Sequence, residues 1–153
     1  MTMSYVNSYD VNAGTLTLKS DNSRPYANGA ISFTGTGTLV LDDAFTVDVS
    51  TNIAAGVSTA PIKVDVGSAD REWKVELPGT TGLIKYGSGT LTLKEVPAYT
   101  GDTYLEGGKL KIPTTWTGRV KTNVDGMSVR KSYEGDYTVY RLDKKRPMVF
   151  VIY

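Results

Sequence analysis

Carboxylates are the residues to weigh first, because the chain contains neither histidine nor cysteine. Without histidine there is no side chain that titrates near neutrality unaided, and the commonest metal ligand is missing. Without cysteine there is no thiolate and no disulfide. Acid–base work would fall to Asp42, Asp43, Asp65, Asp70, Glu72, Glu76, Asp102 and Glu106. A glycosidase needs two such groups at a set separation with split pKa values. No motif gathers them here, and most alternate with apolar residues, as on the outer face of a strand. Gly107-Gly108-Lys109 departs from the Gly-Gly-x-Gly-x-Asp repeat that binds calcium, and no EF-hand loop is present. Gly87-Ser88-Gly89 and Gly35-Thr36-Gly37 precede strands and lack the Lys-Ser/Thr and helix of a phosphate loop. No Ser–His–Asp triad is possible, and no motif supports a Ser–Lys dyad. The expectation is a protein that is not an enzyme, with no metal and no cofactor.

Aromatic residues are the better binding candidates. Trp73, Trp116, Tyr86, Tyr99, Tyr104, Tyr133, Tyr137 and Tyr140 are numerous for 153 residues, and Tyr or Trp exposed on a flat sheet can stack on sugars or anchor a protein. Trp73 lies in phase with Val75 and Leu77, which predicts burial. Trp116 stands among Thr114, Thr115 and Thr117, on no periodic element, and is the candidate ligand-binding residue. Its partners would be glycans or host and cell-surface proteins. The run Lys144-Lys145-Arg146 reads as a charged hairpin turn, with contact to an anionic polysaccharide or lipopolysaccharide as the functional alternative.

The charge balance is 17 basic against 16 acidic residues. Such a chain has no global field toward nucleic acid or an anionic membrane. It has no apolar run of about 18 residues that could span a bilayer as a helix. The opening MTMSYVNSYD has neither a basic nor an apolar signal region. An excised segment with neighbours in a larger polypeptide would read the same way.

The elements that must position these side chains are strands. Threonine, valine, isoleucine and tyrosine abound, and 16 glycines punctuate them. Period-2 alternation predicts strands at 15–19, 45–49, 62–66, 73–77 and 110–112, and in the tail at 127–131, 137–142 and 148–153, with 143–147 as the last turn. No window of ten residues has uninterrupted helical spacing. Gly14-Thr15-Leu16-Thr17-Leu18-Lys19 returns unchanged as Gly89-Thr90-Leu91-Thr92-Leu93-Lys94. Gly37-Thr38-Leu39-Val40-Leu41 and Gly108-Lys109-Leu110-Lys111-Ile112 are looser copies. A spacing near 20, with one longer gap, suits a solenoid of one turn per repeat, in which each Leu stacks on the Leu of the next coil. A β-sandwich with glycine-initiated strands is the alternative.

Residues 82–112 carry Leu83-x-Lys85-x-Gly87-x-Gly89-Thr90-Leu91-x-Leu93, then Tyr99-Thr100-Gly101-x-Thr103, then Gly107-Gly108-x-Leu110-x-Ile112. This order resembles the passenger-associated transport repeat, also called the autotransporter-associated β-strand repeat. Glu95-Val96-Pro97-Ala98 replaces the usual Gly-x-Asn before the tyrosine. The resemblance implies an all-β, right-handed parallel β-helix in an exported bacterial protein, secreted or at the cell surface. It makes Tyr99 structural. Residues 1–118 would form the coils and 119–153 an antiparallel C-terminal cap. The expected function is a non-catalytic structural or adhesive scaffold. A carbohydrate-binding accessory domain of a secreted polysaccharide-active protein stands as the alternative, and a β-helix lyase or hydrolase as the third reading.

Overall fold

The computed structural model describes residues 7–23, 25, 28–79, 81–147 and 151–152. Its strands are β1 (Tyr9–Val11), β2 (Thr15–Leu18), β3 (Ile31–Phe33), β4 (Thr38–Leu41), β5 (Ile62–Asp65), β6 (Arg71–Trp73), β7 (Leu83–Tyr86), β8 (Thr90–Leu93), β9 (Thr103–Leu105), β10 (Lys109–Pro113), β11 (Val120–Lys121), β12 (Met127–Glu134) and β13 (Tyr137–Lys144). A short α-helix, α1 (Ser50–Ala55), follows β4, and a 3-10 turn spans Asp21–Ser23. Strands β2, β4, β5, β7, β9 and β11 stack in parallel as one six-stranded sheet. Strands β6, β8 and β10 stack in parallel as a second sheet, which β13 and β12 extend antiparallel. Strands β1 and β3 form a small parallel pair. The result is a β-solenoid of about five turns, and the β-sandwich alternative falls away.

Register explains why the coils hold. In the first sheet Leu16, Leu39, Val64, Lys85 and Leu105 stand one above another. In the second, Arg71, Leu91, Leu110 and Tyr140 form the matching column. Alternate residues of each strand point into the space between the sheets, and most are fully buried. Each buried Leu, Ile or Val contributes about 1.5–3 kcal/mol by leaving water, but only because the coil on either side covers it. The core is therefore a column.

The glycine-led copies stack as expected, with one correction. β2 lies on β4, and β8 lies on β10. The two pairs belong to different sheets, so the identical hexapeptides occupy different faces of the solenoid. The long gap between the second and third copies is where the motif changes face.

Three strand assignments also need correcting. Residues 45–49 and 74–77 are not strand, although Phe45, Val49 and Leu77 are buried in the expected phase. Their backbone groups find side chains instead of a ladder. Thr46 N–H donates to Asp21 Oδ1 (2.7 Å), Lys74 N–H to Asp48 Oδ2 (2.9 Å) and Val75 N–H to Ser50 Oγ (3.0 Å). Helix α1 is too short to leave a periodic signature, and it turns a corner by burying Ile53 and by an Asn52 Nδ2 donation to Gly29 O (2.8 Å). In the tail, Asp143 and Lys144 belong to β13, paired with Ser128 and Met127, and so are not a turn. Of the strand expected at 148–153, residues 148–150 and 153 lie outside the described residues, while Val151 and Ile152 are exposed and not strand.

Candidate functional site

The repeat segment runs through β7, β8, β9 and β10, and Lys85 sits at its centre. Lys85 takes an inward position of β7, between Val64 and Leu105, and its exposure is 0%. Its Nζ donates to the carbonyls of Gly87 (2.8 Å), Gly89 (2.5 Å) and Gly107 (2.8 Å). An ammonium has three donors, and all three are matched by main-chain oxygens. Burial pushes the Lys85 pKa down to about 8, against the attraction of Asp65 and Asp70. Gly107 lies one coil further on, so the clamp ties coil to coil. Gly108 has φ +61°, and a Cβ there would stand 2.3 Å from Gly89 O and 2.6 Å from Lys85 Nζ. Only glycine fits that position.

Other repeat residues serve the same end. The buried Tyr99 shares a hydroxyl–hydroxyl bond of 2.7 Å with Thr103, and burial pushes its phenol pKa up. Gly101 N–H donates to Thr81 O (3.2 Å) and Leu83 N–H to Asp102 O (3.1 Å). At the unusual segment before Tyr99, Ala98 N–H donates to Leu77 O (2.9 Å), so the coil is linked there without the family's Gly-x-Asn.

A second inward cation, Arg71, was not foreseen. Its guanidinium donates to Val66 O (2.9 Å), Leu41 O (3.1 Å), Asp42 O (2.7 Å) and Phe45 O. Desolvation lowers its pKa, opposed by Asp43 and Asp42. The available signal was phase: Arg71 alternates with Trp73, and Lys85 with Leu83, on faces that are otherwise apolar.

The acidic candidates, Glu76 apart, are engaged by backbone N–H groups or lysines. Asp43 accepts from the N–H groups of Ser68 (2.8 Å) and Ala69 (3.2 Å) and from the Ser68 hydroxyl, and these bonds hold its pKa down. Asp70 accepts from Thr90 N–H (2.7 Å), which lowers its pKa likewise. Glu106 accepts from Asn123 N–H (3.2 Å). These three partners lie one coil on, so the acids stitch neighbouring turns. Asp42 and Asp65 accept from Ala44 N–H (3.0 Å) and Gly67 N–H (2.9 Å) within their own turns. Glu72 faces Lys94 at 3.5 Å and Asp102 faces Lys121 at 3.1 Å. Glu76 is exposed. A groove of about 370 Å³ between 43–48 and 69–74 is lined by Asp43, Asp48, Asp70 and Glu72, each already engaged as above or, for Asp48, by Ser50 N–H (2.8 Å) and Lys74 N–H. Among the described residues no three acids gather closely enough to hold a metal ion.

Trp116 lies in the turn after β10, with its N–H donating to Pro113 O (3.0 Å). Its ring is partly buried and meets Tyr140 edge to face, at 6.2 Å and 86°. A Cβ on Gly118 would collide with that ring, so the indole folds back over its own turn. A nearby hollow of about 290 Å³ is lined by Gly118, Arg119, Val120, Val129, Lys131 and Tyr140, and Trp116 does not line it. Trp73 is buried, as its phase requires. Lys145 and Arg146 are exposed beyond the end of β13. No helix among the described residues is long and apolar enough to cross a membrane.

No curated protein and no solved structure matches the chain. A family model does: the Passenger-associated-transport-repeat, over residues 83–112. That span contains Lys85 with all three of its acceptors, the Tyr99–Thr103 pair and the Gly107-Gly108 turn. The repeat implies an exported or surface protein and suits a passenger scaffold. Residues 83–112 of this β-solenoid thus match the passenger-associated transport repeat.

Proposed function

We propose that the chain is a non-catalytic scaffold segment of an exported bacterial passenger, whose stiff column displays side chains outside the cell. The observation that carries this reading is the use made of the repeat: Lys85, Gly108, Tyr99 and Thr103 all face main chain or each other within the coil stack, leaving the outer faces free to vary. The hairpin β12–β13 covers the edge of β10 and, with Tyr140 against Trp116, serves as the cap of the 1–118 coils in this reading. Capping an open solenoid end is what keeps such columns soluble. Neighbouring segments of a larger polypeptide and surface glycans or proteins are the partners it would meet.

Residues 1–153 contain no cysteine, so Ser128→Cys on exposed β12 adds a label site to this segment, and the parent protein without the substitution sets the background. In the full-length protein on intact cells, a membrane-impermeant maleimide should label it. Labelling that requires cell lysis would overturn the reading.

A further inference from the structure

The outer face of the second sheet carries a file of cations that no turn or core contact explains. Pairing places Lys109 directly beside Arg141, and Arg141 directly beside Arg130, on the adjacent strands β10, β13 and β12. Strand spacing sets such neighbours at ~4.8 Å between backbones. Like charges directly opposite each other destabilise a sheet, so the arrangement opposes folding slightly. All three side chains are exposed.

The counter-charges are placed elsewhere. Arg130 Nη1 meets Asp143 at 3.2 Å. Lys111, on the same face, pairs with Glu134 at 2.6 Å, and Val139, its neighbour across the strand pair, is only 2% exposed. Lys109 and Arg141 have no ion pair among the described residues. Asp70, which feels the charges of Lys109 and Lys111, has its carboxylate engaged by Thr90 N–H. Thr90 continues the file one strand further, beside Lys109.

We propose that the file Lys109–Arg141–Arg130 binds a linear anionic polysaccharide, sulfated or uronate-bearing, that runs across the strands. Each guanidinium offers a planar fork to a sulfate or carboxylate, and successive cations stand about one strand apart. The flanking acids decide the shape of the ligand. Asp143 and Glu134 lie on either side of the file and would repel a broad anionic surface such as a membrane. They leave a lane one chain wide. The binding is independent of where the chain resides, so failure of surface display and failure of this site are separate results.

The test uses a heparin-derived oligosaccharide as the sulfated probe, with isothermal titration at two salt concentrations. Wild type should bind, with affinity falling as salt rises. K109Q/R141Q should weaken binding by roughly tenfold or more, while K19Q/K74Q, which removes the same charge from exposed positions elsewhere, should leave it within about twofold. All four positions are on the surface, and unchanged thermal unfolding checks that the variants fold. No binding by wild type, equal losses in the two variants, or tighter binding to duplex DNA or phosphatidylserine vesicles would each overturn the proposal.

Discussion

The hexapeptides at 14–19 and 89–94 are identical in sequence and differ in everything their neighbours supply. Among the described residues β2 is the end strand of its sheet and pairs only with β4. β8 lies between β6 and β10. Leu91 is fully buried, whereas Leu16 is only partly so. Gly14 has φ +71° with open space where a Cβ would be, while a Cβ on Gly89 would lie 2.1 Å from Ala69 O. The first glycine serves backbone conformation and the second serves close approach of coils. Lys19 is exposed, whereas Lys94 meets Glu72 and lies 5.6 Å from the Tyr137 ring. In a solenoid the inward phase of a residue is local, but its burial is supplied by the coils above and below.

The largest separation between the two copies should come from a buried charge. Leu91→Asp puts an unpaired carboxylate into the column and should cost more than about 4 kcal/mol, enough to abolish the cooperative unfolding transition. Leu16→Asp at the end of the stack should cost about 1 kcal/mol. Urea unfolding of both variants decides the matter, and equal losses would break the comparison.

Next come the glycines. Gly89→Ala must push coils apart and should cost about 2–4 kcal/mol. Gly14→Asn, which keeps a left-handed residue in open space, should cost about 1 kcal/mol or less. The reverse order in chemical denaturation would show that the two glycines do not divide the work in this way.

The smallest effect concerns the Lys85 clamp, which β7 carries and β2 lacks. Lys85→Met leaves main-chain carbonyls without a donor and should cost about 1–3 kcal/mol. Its pH dependence has a definite sign. The folded pKa is about 8, below the ordinary 10.5, so between these values the unfolded chain holds more protons. The burial penalty is present in full below about pH 8, and the Lys85 contribution to stability rises as pH increases toward 10.5. The gap between wild type and Lys85→Met in urea midpoint should therefore widen from pH 7.5 to pH 10. A constant gap would mean that the amine is not held in the folded column as its three carbonyl contacts indicate.

The amino-acid sequence by itself determined the inward phase, the coil length and the strand character of the glycine-led copies, though not of 45–49 or 74–77. Alternation at Thr90–Leu93 and Lys109–Pro113 is a local property, and the order Lys85, Gly89, Tyr99, Thr103, Gly108 marks the repeat before any contact is known. Tertiary structure alone decided which sheet each copy joins, because the corner between β4 and β8 depends on α1 and on backbone groups at 45–49 that bond to side chains 25 residues away. It alone turned Arg71 and Lys85 into buried clamps, since a carbonyl cage is assembled from separate turns. It alone set Lys109 beside Arg141 and Arg141 beside Arg130, since register between strands is fixed by the hairpin and the core beneath it. Trp116, isolated among threonines in the sequence, acquires its place only from Tyr140 on the hairpin.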